Sequence, residues 1–296
     1  MHRFRRTLIV FCLSLLALPG LALAAGSTSD GIYSQDNGFN PKMLDASVPQ
    51  AERLKLFSHV IALANQGKVR AQNLAGTMYW QGSNIPGSPI QSNLQQAHTL
   101  LANAAVHGDV LAMAKLAEME FKSGNLQKAM IWAQLYAHYI DPTVSAREQH
   151  GFRYAYASDL IGRISKAGGK IDDTVSKGVS ATVARFDKPI REGISTFKQQ
   201  RRSGDAFLTI FPQVKVPKEL RTKSGVAEFM VAFDTSGKPG KIWTIASYPI
   251  PDFGAAIRPQ LDQLRANPVG NDVGMRYMLV AIPHYSVNFR QLRAHH

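Results

Sequence analysis

The chain has 296 residues, 45% of them hydrophobic and 19% charged, a globular balance that gives one or two domains, each able to bury a core. A single cysteine excludes an internal disulfide framework and any multi-thiolate metal site. With 34 Lys+Arg against 21 Asp+Glu, a net charge of +13, the chain is strongly basic, yet no zinc-finger, RNA-binding or helix-turn-helix signature accompanies the charge, so nucleic acid is not an expected partner.

Arg3, Arg5 and Arg6 precede an apolar run from Leu8 to Leu18, Pro19-Gly20 breaks that run, and Ala22-Leu23-Ala24 offers a small-x-small cleavage pattern. This predicts a secretory signal peptide over residues 1–24, cut after Ala24, and hence an exported, periplasmic protein. The apolar run is shorter than the about 20 residues a membrane span needs, and its retention as an anchor is the alternative. Cys12 lies inside this segment, so the mature chain offers no thiolate nucleophile or ligand. Losing the three arginines lowers the net charge only from +13 to +10. An exported protein of that charge is steered toward anionic envelope components or acidic protein patches.

Residues 25–47 are rich in Gly, Ser, Asn and Asp and read as a flexible lead-in. From about Pro49, Leu54, Phe57, Val60, Ile61 and Ala64 recur at helical spacing, and Gly67 closes that helix. The next stretch, GKVRAQNLAGTMYWQG, places Ala71, Ala75 and Gly76 inside a helix. A glycine there costs about 1 kcal/mol relative to alanine, which close packing on a neighbouring helix would offset. The same small-residue register returns 41 residues on at Gly108, Ala112 and Ala117. A second helix of each unit repeats at an offset of 32, with Ala97, Leu100, Ala104 and Ala105 becoming Ala129, Trp132, Tyr136 and Ala137. Ser92 with Gln95 forms a capping box, and Asn125 stands at the other N-cap. The spacing therefore predicts a helical hairpin written twice, the mark of a helical solenoid.

Ala71, Gln72, Gly76, Tyr79, Gly82, Ala97, Ala104, Ala105 and Gly108 match the pattern A-Q-x-x-L-G-x-x-Y-x-x-G followed by A-x-x-W-x-x-x-A-A-x-x-G. On these residues the segment from Ala64 to His138 resembles the Sel-one-like repeat, a relative of the tetratricopeptide repeat. Ala75 stands where that family has Leu, and Leu100 where it has Trp. The resemblance implies a concave helical surface that binds a protein partner, with Tyr79, Trp80, Trp132 and Tyr136 as contact candidates.

A further helix is predicted from Val144 to Lys166, with Phe152, Tyr156, Leu160 and Ile164 four apart, closing a helical domain over residues 48–167. Residues 168–206 carry an excess of Lys and Arg and read as an exposed, amphipathic or extended basic connector, suited to an anionic envelope component. The period then changes. GVAEFMVAFD alternates Ala227, Phe229, Val231 and Phe233 against Glu228 and Asp234, TSGKPG is turn chemistry, and KIWTIASYP is a second strand. Phe253, Ala256, Ile257, Leu261 and Leu264 form a helix face behind Asp252, and MRYMLVAIP is a third strand. Residues 207–290 thus predict a small β-β-α-β domain, and the whole chain a two-domain α+β fold.

Gly225, Val231, Phe233, Asp234, Gly237, Arg265 and Pro268 sit where the C-terminal domain of TonB-type energy transducers carries its motif residues, and the domain resembles that family. Ala246-Ser247-Tyr248 replaces the family's Ser-Ser-Gly, and Pro259 falls within the helix, where it should kink or restart it. The resemblance implies that the strand after the helix is an edge able to pair with an extended partner segment. Arg276, Tyr277 and Met278 are its contact candidates, and an edge covered by the basic connector is the alternative.

No H-E-x-x-H, G-x-S-x-G, S-x-x-K or Walker spacing occurs, and Glu118 and Glu120 stand two apart on a helix, off a common face. The sequence thus predicts no catalytic residue, cofactor or metal. The expected function is that of an exported, non-enzymatic interaction or scaffold protein of the cell envelope. An energy-transducer-like or transporter-docking protein and a cell-wall hydrolase or accessory enzyme are the alternatives.

Overall fold

The structure, a computed structural model, describes residues 39–140, 150–202, 208–210, 217–220, 224–268 and 276–284. The signal-peptide segment and most of the lead-in lie outside the described residues. So do 141–149, where the sixth helix was expected to begin. The architecture is α+β, a layer of helices followed by a small antiparallel sheet.

Helices α1 (Gln50–Asn65), α2 (Val69–Gln81), α3 (Leu94–Val106), α4 (Val110–Lys122) and α5 (Leu126–Tyr139) form the first part of the chain, followed by α6 (His150–Lys166). Each packs on its neighbour, and α2 also touches α4, so α2 and α4 share one face of the array while α3 and α5 share another. Small residues permit this close stacking: Ala71, Ala75, Ala97, Ala104, Ala105, Ala112, Ala114, Ala117, Ala129 and Ala133 are all buried. Gly76 shows why the glycine is kept. A Cβ built on it would stand 2.8 Å from Leu101 Cγ of α3. Gly76→Leu is therefore expected to cost about 1–3 kcal/mol by overpacking, whereas Lys68→Leu at an exposed position should cost little. Thermal melting of the two variants checks it, and equal midpoints would contradict the packing described.

Helix starts differ from the sequence reading by one residue of chemistry. The cap of α3 is Asn93, whose side chain accepts from Gln96 N at 3.0 Å, while Ser92 Oγ donates instead to the Trp80 carbonyl at 3.2 Å. Asn125 stands at the N-cap of α5 as expected, but its side chain makes no cap bond; its amide donates to Glu120 Oε2 at 2.8 Å. The lead-in is also less free than its composition implied, because Phe39, Met43 and Leu44 are buried against α1 and α2. Lys241 holds Asp45 next to this segment at 2.5 Å, and with Ser47 pulls the Asp45 carboxyl down to about 2.

The basic connector is a helix, α7 (Asp173–Arg202), 30 residues long and packed on α5 and α3. Its Val175, Val179 and Ile190 are buried, so the segment is a structural layer with a solvated outer side. Tyr139 OH donates to Asp187 at 2.9 Å, and Arg191 pairs with that same carboxylate. Gly193 lies against the turn between α3 and α4 so closely that a Cβ there would fall inside the His107 carbonyl, and Gly108 returns the approach with φ of 94°. Two backbones meet there without side chains between them.

Strands β1 (Leu208–Ile210) and β4 (Arg265–Ala266) make a two-stranded antiparallel ladder that the sequence reading did not anticipate. The main sheet joins β2 (Gly225–Phe233), β3 (Pro239–Tyr248) and β5 (Arg276–His284) in the order β3-β2-β5, all antiparallel. Helix α8 (Pro251–Ile257) starts at Pro251 and gives way at Arg258 to a 3-10 segment holding Pro259, the restart that proline dictates. Phe229, Val231, Phe233, Ile242, Met278, Val280 and Ile282 of the sheet bury with Phe253, Ile257 and Leu261. Alternation predicted a polar second face for β2. Instead every β2 residue is buried, because that second face lies on the helical array.

Candidate partner interface

The sheet rests on α2 and α4. Val226, Ala246, Tyr248 and Ala281 join the core of α3 to α6, while Met230, Ile245 and Leu279 join that of α1 and α2. Of the four contact candidates on the helices, Trp80 meets the chain's own sheet, at Tyr248.

At the centre of this contact is a charge pair with no exposed surface. Lys115 of α4 is 0% exposed and Glu228 of β2 is 1% exposed. Burying an isolated ammonium is costly, and α2 supplies the compensation. Lys115 Nζ donates to Asn73 Oδ1 at 2.5 Å and to Thr77 Oγ1 at 2.8 Å. Asn73 is fixed in turn by its amide donating to Asp109, the residue whose other oxygen caps α4 at Ala112 N, 3.1 Å away. The third direction of the ammonium meets Glu228 Oε2 in an ion pair at 2.7 Å. Ala246 and Ala281 are the cross-strand neighbours of Glu228 on β3 and β5, and their small side chains leave room for the lysine to reach the central strand. Burial pushes the Glu228 carboxyl above the usual carboxylate range, and the Lys115 charge only partly opposes it. The Tyr248 hydroxyl is also buried, finds no hydrogen-bond partner among the described residues, and is pushed well above the usual phenol range by burial.

The candidate contact residues fall in three places. Trp80 is 7% exposed, its ring tilted against Tyr248 at 5.8 Å between centroids, with Lys122 Nζ 5.3 Å from its own centroid. Tyr136 is buried edge-on to Tyr156, and Met278 is buried in the sheet–α8 core. These three are buried. Tyr79 packs edge-on to Phe57 and, with Trp132, stays partly buried on the helices. Arg276 is buried and donates to the Asn267 carbonyl at 2.5 Å, while Tyr277 is half-buried on the helical side of β5. The structure therefore brings Trp80 to the sheet but does not gather the seven residues into one surface.

Lys115, Asn73, Thr77, Glu228 and Tyr248 were missed. The signal was present in two forms. Lys115 is a lone cation in the apolar run LAMAKLA, and the supposedly polar side of β2 reads Val226, Glu228, Met230, Ala232, apolar except for the acid. Glu118 and Glu120 do part company as their spacing requires: Glu118 accepts from Tyr156 OH at 2.8 Å and pairs with Arg163, while Glu120 lies 3.3 Å from His98. Among the described residues no cluster of three or more His, Cys, Asp or Glu is placed to hold a metal, and no helix is long and apolar enough to cross a membrane. No family model matches the chain, and comparison with curated proteins and with solved structures gives no match either.

Proposed function

We propose that the chain is an exported, non-enzymatic interaction protein of the cell envelope, and that it captures an extended partner segment along β5. The observation that carries this reading is the position of β5: among the described residues its only strand partner is β2, so its outer side is an edge. Such an edge offers a row of main-chain donors and acceptors, which give affinity to an added strand. The order β2, β3, α8, β5 supports the resemblance to the TonB-type C-terminal domain, and the stacked hairpins α2–α3 and α4–α5 support the Sel-one-like reading. Because the α2–α4 face is filled by the sheet, the repeats act in this reading as a scaffold that presents the edge. A transporter-docking protein would use the same edge, so one measurement serves both. Hydrogen exchange on the full chain is expected to show fast edge amides over 276–282 in isolation and slowed ones after adding envelope extract. Edge amides already protected in the isolated chain, or unchanged by extract, would overturn the reading.

A further inference from the structure

We infer that β5 receives its partner in one fixed main-chain register that ends at Pro283, and that the segment it pairs with is uncharged. The inference rests on the reading of β5 as a capture edge and deepens it. In an antiparallel ladder alternate residues turn both N–H and C=O toward one neighbour, and the residues between them turn theirs away. The phase of β2 follows from its hairpin. Asp234 N donates to the Lys238 carbonyl at 3.0 Å, so Asp234 faces β3 and Phe233 beside it faces β5. The β2–β5 register runs unbroken from Gly225 opposite His284 to Phe233 opposite Arg276. Alternation therefore gives the inner bonds to Arg276, Met278, Val280 and Ile282. It turns the main chain of Tyr277, Leu279 and Ala281 outward.

Two further observations agree with this phase. Pro283 stands opposite Val226, an outward position, where a strand tolerates a residue with no N–H to give. Ile242 of β3 stands opposite Val231, and its carbonyl accepts from Arg258 Nη2 at 3.1 Å, away from β2 as the same phase demands. Pro283 also sets a limit. The row of outward donors that begins at Tyr277 stops at Ala281.

The two edges of the sheet are treated differently. β3 breaks register twice, Arg258 fills its outward Ile242 carbonyl, and the Ser247 hydroxyl donates to Ile250 and accepts from Gly254 N. Bulges and covers of this kind blunt an edge. β5 has no register break against β2 and no charged side chain from Tyr277 to Ile282. Its Met278, Val280 and Ile282 are buried in the α8 core, and Leu279 and Ala281 in the helical cores. A strand laid beside β5 would meet apolar rows on both of its faces. A charge at its centre would be desolvated with no counter-charge to face, whereas an uncharged segment carries no such cost. Selection at this edge is thus by exclusion of charge.

Residue-resolved hydrogen exchange on the full chain tests this without any substitution. The probe is a capped peptide of alternating threonine and valine, N-methylated at every second residue so that a single pairing edge remains. Beside it stands the same peptide with glutamate at its centre. In the isolated chain the amides of Met278, Val280 and Ile282 are expected to exchange slowly and those of Tyr277, Leu279 and Ala281 fast. Titrating in the uncharged peptide should slow the fast set about tenfold, the protection conferred by a ligand at about ten times its Kd. The glutamate peptide at the same concentration should leave that set unmoved. The opposite alternation, no slowing by the uncharged peptide, or equal slowing by both peptides would overturn the inference, and the edge reading would still be decided by envelope extract. Protection of all six amides in the isolated chain would instead remove the edge reading, and the inference with it.

Discussion

Replacing Gly193 by leucine is expected to cost about 3 kcal/mol or more, at or beyond the upper end of overpacking effects. The obstacle is backbone rather than side chain: the new Cβ would fall inside the His107 carbonyl and close to Gly108 Cα. A flexible side chain could swing away, but here α7 as a whole must lift from the turn between α3 and α4. That would also strain the seats of Ile190 on the helical core and of Asp187 under Tyr139. Gly162 provides the contrast. It too lies inside a helix, α6, but a Cβ there meets nothing within 4 Å, so Gly162→Ala should stabilise by about 0.5–1 kcal/mol through helix propensity. Denaturant unfolding of both variants measures the pair. A Gly193→Leu chain as stable as the parent would mean that α7 does not lie on that turn.

Lys115→Met should destabilise by about 3–5 kcal/mol, the cost of leaving a buried carboxylate without its counter-charge. Adding Glu228→Leu should recover most of that loss, because a well-packed apolar pair replaces a desolvated ionic one with little net change. A double-mutant cycle in denaturant reads the coupling directly. Additive losses would show that the two side chains do not meet. The same carboxyl fixes the sign of a pH effect. Its pKa in the folded chain is raised above the unfolded value, so the folded state holds the proton more firmly. The resulting stabilisation is full below the unfolded pKa and is lost as pH rises through the folded one. Glu228→Gln should remove that component of the stability–pH curve.

The elements with a strong period were legible in the sequence, and the contacts between them were not. The small residues of GKVRAQNLAG gave α2 and its tight seat on α3, because a glycine inside a helix has few other reasons to exist. The hairpin of β2 and β3 was marked by TSGKPG, and the restart at Pro259 by the chemistry of proline. What stayed hidden was burial on a second face. Glu228 in β2 looked like the polar half of an alternation because a single acid outweighs its apolar neighbours in such a count. Only its position opposite Lys115, 113 residues earlier, explains why it is inside. The basic run of α7 misled for a related reason. Its Lys177, Arg185, Lys188 and Arg191 are exposed, while the few buried residues that hold it, Val175, Val179 and Ile190, are too widely spaced to announce a packed helix. Candidate contact residues were chosen for being aromatic, and aromatic side chains are also what cores use most heavily. Trp80 and Tyr136 went to the core for that reason.

The docking of the sheet on α2 and α4 sets an order in time. Synthesis proceeds from the N-terminus at about 5–20 residues per second, so Glu228 leaves the ribosome on the order of 6–20 seconds after Lys115. During that interval the helices can pair, since their contacts are between neighbours, but the α2–α4 face has nothing to cover it. Asp45 waits longer still for Lys241, 196 residues later. A chain that ends before β2 is made would leave Trp80 without Tyr248 and the Lys115 ammonium without Glu228. The sheet thus closes contacts that the helices cannot close among themselves, and their burial is complete only when the final strand arrives.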